Sequence, residues 1–91
     1  MRLKWTDVAV SDLASIRDYI EADNPEAAQK AAVRILSQAE SLVSHPRKGR
    51  PGRVPNTRES LVPNLPYFIV YRVRKEQVEI LRVLHTSRRY P

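Results

Sequence analysis

The residues of this chain that could carry out chemistry lie mainly in its second half. The last twelve residues read ILRVLHTSRRYP, an apolar run followed by a histidine, two arginines and a tyrosine. Cleavage of RNA by its own 2′-hydroxyl needs a base, an acid and cations at the phosphate. Histidine can exchange protons near neutral pH, and arginine can hold a phosphate through paired donors. Tyrosine can stack on a nucleobase of the RNA. The candidate catalytic residues are therefore Arg58, Arg72, His85 and Tyr90.

Further cations form a set that could bind an anionic partner. Residues 46–57 (PRKGRPGRVPNT) contain three prolines and both glycines of the chain, which indicates a loop, and this loop contains no acid. We expect its cations and those near the end of the chain to contact RNA or a protein partner. They are Arg47, Lys48, Arg50, Arg53, Arg82, Arg88 and Arg89.

The main candidates also have structural interpretations, which stay open at this stage. His85 can be a hydrogen-bonding residue at a strand end, and Tyr90 can be a packing residue that holds the terminus. Arg72 can form an ion pair with Glu59 or with a carboxylate of a partner. Other chemistries have less support, because there is no phosphate-binding glycine motif and Ser87 has no evident orienting acid. We expect neither a cofactor nor a metal, since the two histidines lie forty residues apart without a carboxylate cluster.

Length and charge bound the class of protein. Ninety-one residues suit one domain, residues 1–91, and 42% hydrophobic residues are enough for a packed core. Residues 45–91 contain eleven Lys or Arg against three Glu, a net charge of +8, whereas residues 7–44 are net acidic. Such asymmetry is typical of a face that binds phosphate or an acidic protein. The absence of cysteine, of a signal peptide and of a long apolar run favours the cytoplasm over a membrane.

The first half of the chain predicts a short strand and a helical hairpin. The strand covers residues 2–5, and Thr6 is placed to cap a helix that runs to about residue 22. Asn24 and Pro25 then start a second helix, which ends near residue 45. Apolar residues recur every three or four positions in both segments, so each helix has one apolar face.

The second half predicts extended segments. Residues 57–62 are a weak candidate strand, and residues 67–74 and 77–85 are strong ones joined by a short hairpin. The two strong strands are nearly continuous in apolar content, which indicates burial on both faces of a sheet. Since two helices can cover only about one face, we expect a protein partner to cover part of the other.

A set of short motifs along nearly the whole chain resembles the RelE/ParE superfamily of toxins from bacterial type II toxin–antitoxin modules. Each motif is weak alone, and together they are specific. They are W-T-x-x-A-x-x-D-L from Trp5, D-Y-I-x-x-x-N-P-x-A-A from Asp18, H-P-x-x-G-R-x-G-R from His45, T-R-E from Thr57, P-Y-x-I-x-Y-R-V from Pro66 and I-L-R-V-L-H from Ile80.

The resemblance implies an α+β fold in the order β-α-α-β-β-β, with an antiparallel helical hairpin packed on a twisted, mainly antiparallel sheet of about four strands. It also implies a toxin–antitoxin hetero-oligomer, in which an acidic or amphipathic C-terminal segment of the cognate antitoxin wraps the toxin. The resemblance allows two targets. ParE-like members inhibit DNA gyrase, and RelE-like members cut messenger RNA on the ribosome.

The motifs give mixed indications of the target. The N-P-x-A-A hairpin and the L-H strand end look ParE-like, whereas Arg58, Arg72, His85 and Tyr90 fall where RelE-like nucleases keep functional residues. The basic loop is mostly arginine, which stays protonated and is a poor general base. We therefore place gyrase poisoning ahead of ribosome-dependent mRNA cleavage, with a non-toxic antitoxin-binding module as a third interpretation.

Overall fold

A computed structural model describes all residues, 1–91, and has two helices and five strands. The expected order of elements is present, with one additional two-residue strand after the helices. No helix is long and apolar enough to cross a membrane. The elements are β1 (Arg2–Trp5), α1 (Asp7–Glu21), α2 (Pro25–Ser44), β2 (Arg50–Pro51), β3 (Arg58–Leu61), β4 (Tyr67–Arg74) and β5 (Gln77–His85).

Both helices begin at the residues whose side chains can cap them. The Thr6 hydroxyl accepts a hydrogen bond from the Ala9 amide at 3.2 Å and donates one to the Ile80 carbonyl at 2.8 Å. The Asn24 side chain accepts from the Ala27 amide at 3.0 Å. These bonds satisfy amides that a helix start leaves without partners. The bond to Ile80 also fixes the start of α1 to β5.

The sheet has the order β1-β5-β4-β3-β2, with β1 parallel to β5 and all other pairs antiparallel. This arrangement confirms the α+β fold with a mainly antiparallel sheet. The fifth strand arises because the loop after α2 returns along β3, where Arg50 lies opposite Glu59. The pairing of β4 with β5 shifts register between Val70 and Tyr71, which marks a bulge.

One face of the sheet, here called the helix-covered face, packs on α1 and α2. Its core joins Ile35 and Leu42 of α2 to Ile69, Tyr71 and Ile80 of the strands, all fully buried. The opposite face is called the open face. It has a smaller core of Phe68, Val70 and Leu84, also buried.

The expectation that a partner must cover the apolar part of the open face is wrong for these three residues, because the chain covers them itself. The segment after β5 folds back and places Tyr90 against Phe68. The Arg53 guanidinium lies 5.2 Å from the centre of the Phe68 ring. The part of the open face towards the β4–β5 hairpin is polar, whereas Leu61, opposite Phe68, is an exposed apolar residue on the same face.

Candidate functional site

His85 lies in a groove of about 580 Å³ between α1 and the end of the β4–β5 pair. Ser15 and Tyr19 of α1 form one wall, and Tyr67, His85 and Arg88 form the other. The His85 ring packs edge-on against Tyr67, with 5.3 Å between ring centres. Since Tyr67 belongs to the core under the helices, the groove lies on the helix-covered face.

The hydrogen bonds of His85 limit the proton chemistry it can perform. Its Nδ1 accepts from the backbone amide of Ser87 at 3.0 Å and lies 2.7 Å from the Ser87 hydroxyl oxygen. A backbone amide can only donate, so the neutral ring carries its proton on Nε2. In this arrangement the only accepting nitrogen of neutral His85 is already occupied. In this tautomer the ring offers its Nε2–H as a hydrogen-bond donor, while Ser87 contacts Nδ1.

Tyr67 contributes a neutral phenol to the same groove. Burial, and secondarily the neighbouring Tyr19, raises the pKa of Tyr67 above the ordinary value of 10.0. The phenol therefore stays protonated at neutral pH and is no more acidic than a free tyrosine. The groove therefore offers hydrogen-bond donors and aromatic surface.

Tyr90 lies on the open face, on the other side of the sheet from His85. Its ring is 6.1 Å from the Phe68 ring, and the Arg53 guanidinium is 5.9 Å from the Tyr90 ring centre. The Arg53 guanidinium also donates to the Tyr90 carbonyl at 3.2 Å. In this structure Tyr90 packs the end of the chain onto the smaller core.

Arg58 and Arg72 line one shallow depression of about 310 Å³ where β3 begins beside β4. The Arg58 guanidinium donates to the Gly49 carbonyl at 2.8 Å. Arg72 forms a short ion pair with Glu79 of β5, not with Glu59. This hydrogen bond lowers the pKa of Glu79 below its ordinary value. Each guanidinium therefore has an internal partner and retains donors for a ligand.

Arg82 is held inside the fold. Its guanidinium forms two hydrogen bonds to the Asp12 carboxylate, at 2.8 and 3.1 Å, and Asp12 also accepts from the Val83 amide at 3.0 Å. The bond to Asp12 raises the pKa of Arg82 further above its ordinary value. Its Nη1 forms no hydrogen bond within the chain and the side chain is 29% exposed, so the predicted role of Arg82 in binding a partner stays a prediction.

The loop cations fall into two groups. Arg50 and Arg53 flank the carboxylate of Glu59, at 3.6 and 3.4 Å, and this carboxylate is only 2% exposed. Arg47 and Lys48 are exposed and form no ion pair within the chain. Arg88 and Arg89, after β5, are likewise exposed without an ion pair.

The four candidate catalytic residues do not surround one point. Arg58 and Arg72 share a depression. His85 pairs with Tyr67, and Tyr67 lies five residues before Arg72 on β4. Five strand residues span about 17 Å. Tyr90 is on the opposite face from His85. The chain contains no group of three or more His, Asp or Glu side chains that could hold a metal ion.

Sequence reasoning gave no role to Asp12 and Tyr71, which fix Arg82 and the basic loop, or to Tyr19, which lines the groove. Tyr71 is fully buried and fixes the basic loop, because its hydroxyl donates to the Pro46 carbonyl and accepts from the Gly49 amide. A signal for Asp12 was available. It follows Ala9 by three positions and directly precedes Leu13, so it lies at the margin of the apolar stripe of α1.

Comparisons with known proteins identify the family. The family model described as "ParE toxin of type II toxin-antitoxin system, parDE" matches residues 3–90. The putative toxin Y4kP of Sinorhizobium fredii is 41% identical over 99% of this chain and 93% of its own length. Toxin RelE2 of Caulobacter vibrioides is 42% identical over 92% of this chain and 93% of its own length.

A solved structure has the same fold. The chain described as "Chromosomal ParDE TA system from P. aeruginosa" superposes with a TM-score of 0.86 at 35% sequence identity, over 93% of this chain and 95% of that one. The resemblance seen in the motifs is thereby confirmed. A toxin of this kind has an antitoxin as its partner. The chain belongs to the ParE toxin family and is the toxin of a type II toxin–antitoxin module.

Proposed function

We propose that this toxin arrests growth by poisoning DNA gyrase. The observation that carries the proposal is the separation of His85, Tyr90 and Arg72. Cleavage of RNA needs an acid, a base and cations around one phosphate, and these residues lie on two faces and at two ends of the sheet. The match to a family model of ParE toxins supports the same conclusion.

Ribosome-dependent mRNA cleavage is the second candidate function. The depression lined by Arg58 and Arg72 favours it, since guanidinium groups can bind phosphate through paired donors. One relative also carries the name Toxin RelE2. A module that binds its antitoxin without being toxic is the third. Gyrase and the ribosome are both cytoplasmic, so either of the first two functions places the toxin in the cytoplasm.

Two assays with the same purified toxin distinguish these functions. In the first, gyrase supercoils a relaxed plasmid while toxin is titrated in, and we expect supercoiling to be inhibited. In the second, toxin is added to a translating extract and the transcript is mapped, and we expect the transcript to remain intact. Cut transcripts with unaffected supercoiling would overturn the proposal. Unimpaired growth on induced expression of the folded toxin would overturn both toxic functions.

Variants extend the second assay to the predicted catalytic residues. If transcripts are cut, the double variant His85→Ala with Tyr90→Phe shows whether the predicted residues are responsible. Arg58→Gln with Arg72→Gln tests the shared depression in the same way. Cutting that depends on the second pair but not on the first would assign the nuclease to the depression and remove His85 from it.

We further propose that the antitoxin partner presents an acidic or amphipathic C-terminal segment that wraps the toxin. Arg47, Lys48, Arg88 and Arg89 support this, because they are exposed and lack an internal carboxylate. Co-expression with the cognate antitoxin, followed by purification of the complex, tests it. Arg47→Glu with Lys48→Glu should reduce recovery of the complex, whereas Arg17→Glu with Lys30→Glu on the helices should not. Equal recovery from all variants would contradict this placement.

A further inference from the structure

The polar end of the open face brings together cations from two strands, β1 and β4, which flank β5. In the β1–β5 and β5–β4 pairs, Lys4 and Arg72 both lie opposite Glu79, and Arg2 and Arg74 both lie opposite Gln77. Directly opposite residues point to the same face of a sheet. That face is the open one, because the alternating residues Leu3 and Trp5 pack against the helix-side core. We call this group the cationic end: Arg2, Lys4, Arg72, Arg74, Gln77 and Glu79.

The cationic end has one internal ion pair and an excess of positive charge. Its only acid, Glu79, is paired with Arg72. Arg2, Lys4 and Arg74 are exposed and form no ion pair within the chain. Arg72 is the main cause of the lowered pKa of Glu79, and Arg74 and Lys4 add to it, so these charges converge on one place. The cluster therefore leaves three cations available for an external anion.

We propose that the cationic end binds the phosphate backbone of duplex nucleic acid. Its cations form two rows, Arg2 with Lys4 and Arg72 with Arg74, on either side of β5. Two strand spacings separate the rows by about 10 Å. A minor groove is about 6 Å wide, so long side chains from the two rows can reach phosphates on both of its walls. Contacts of this kind position a protein on a duplex without reading its sequence.

The composition of the cationic end favours a duplex over other anionic partners. None of its six members is aromatic or apolar. A single strand is held largely by stacking of its bases on aromatic side chains, and none is present in the group. A protein partner is usually anchored by buried aromatic residues or well-packed pockets, and this flat polar surface offers neither. A polar, strongly positive surface is typical of protein–DNA contacts.

This inference is independent of the gyrase proposal, because it concerns DNA alone. If gyrase is the target, the same face would let the toxin contact the DNA that the enzyme holds. Failure of either proposal leaves the other standing, since supercoiling inhibition and binding to free duplex are measured separately.

The test is binding of a short fluorescent duplex by anisotropy across a range of salt concentrations. The variant carries Arg2→Gln, Lys4→Gln and Arg74→Gln. The matched control carries Arg17→Gln, Lys30→Gln and Arg34→Gln, the same charge change on the exposed sides of the helices. Both should remain folded, because all six side chains are exposed, and thermal unfolding of the two proteins checks this.

We expect the affinity for the duplex to depend less on salt concentration in the variant than in the parent, and as much in the control as in the parent. Removing three phosphate contacts should make the slope of log K against log salt shallower by about 2–3. Such contacts account for about a 40-fold weakening between about 50 and 200 mM salt, and this should be missing from the variant. The single strand of the same length should bind the parent more weakly, and polyglutamate should not displace the duplex.

Several results would overturn the inference. If the parent fails to bind the duplex, or if the control loses as much affinity as the variant, the cationic end is not the binding surface. In that case its cations would serve only to discourage another chain from pairing with the edge of the sheet. If the single strand binds as tightly as the duplex, or if polyglutamate displaces it, the partner belongs to a different class.

Discussion

At the scale of single residues, a few polar side chains stabilise the fold in two ways, by packing in the core and by hydrogen bonding to another segment. Tyr71 supports the sheet core with its ring and holds the basic loop with its hydroxyl, which contacts Pro46 at 2.7 Å and Gly49 at 2.9 Å. Gly49 is needed there because an added Cβ would lie 2.7 Å from the Tyr71 hydroxyl oxygen. One buried phenol therefore helps to hold the loop that carries these cations, together with the bond from Arg58 to Gly49.

Replacing Tyr71 with phenylalanine tests this anchor. The change removes the donor to the Pro46 carbonyl and leaves the buried Gly49 amide without its acceptor, so we expect a loss of about 1–3 kcal/mol of unfolding free energy. Urea denaturation measures it. Tyr19→Phe is the matched control, because Tyr19 is 78% exposed and should unfold like the parent. Equal stability of the two variants would show that the hydroxyl does not anchor the loop.

The pair of Asp12 and Arg82 fixes α1 to β5. In Asp12→Asn the ion pair is lost while the side-chain shape is kept, so we expect about 2 kcal/mol of destabilisation. Asp18→Asn, on the exposed side of the same helix, provides the comparison. Thermal and urea unfolding of both proteins measure the difference. A destabilisation of Asp18→Asn as large as that of Asp12→Asn would contradict a specific role for the pair.

The pair of Arg72 and Glu79 predicts a dependence of stability on pH. Because Arg72 lowers the pKa of Glu79 from its ordinary value of 4.5, the ionised carboxylate stabilises the fold above that value. This stabilisation is lost as the pH falls through the lowered pKa. We therefore expect Glu79→Gln to unfold at a lower temperature than the parent at neutral pH, with a difference that shrinks under acid conditions. A constant difference at every pH would contradict the ion pair, and Glu76→Gln on the hairpin is the control.

At the scale of secondary structure elements, local signals in the sequence were sufficient for both helices and for four of the five strands, but not for β2. Thr6 and Asn24 predicted both helix starts, because capping depends on neighbouring residues. The strand β2 contains only an arginine and a proline, and it exists because Tyr71 holds the preceding loop against the sheet. A contact between residues this far apart in sequence leaves no local pattern to read.

The cap of α1 is a second element-scale feature that can be measured. Thr6→Ala removes the acceptor for the Ala9 amide and the bond to Ile80, so we expect about 1–2 kcal/mol of destabilisation. Thr86→Ala is a suitable control, since Thr86 is exposed and its side chain makes no hydrogen bond. Urea denaturation of both variants measures the difference. If Thr6→Ala unfolds like the control, the junction between α1 and β5 is held by other contacts.

At the scale of the whole molecule, residue types in the sequence indicated which residues could form a site. They did not indicate on which face of the sheet each of these residues lies. Successive side chains of β5 point to opposite faces of the sheet. Leu84 therefore lies on the open face and its neighbour His85 on the helix-covered face. The return of the final segment over Phe68 then places Tyr90 away from His85. The cations of residues 45–91 are likewise distributed over several places, including the basic loop, the depression and the cationic end.

The most direct measurement of the proposed function is the trapping of gyrase on cut DNA. Purified toxin is incubated with gyrase and a supercoiled plasmid, the reaction is stopped with detergent and protease, and linear DNA is quantified. We expect linear DNA to rise with toxin, to require gyrase and to disappear when the antitoxin is added first. No linear DNA and undiminished supercoiling at saturating folded toxin would contradict gyrase poisoning.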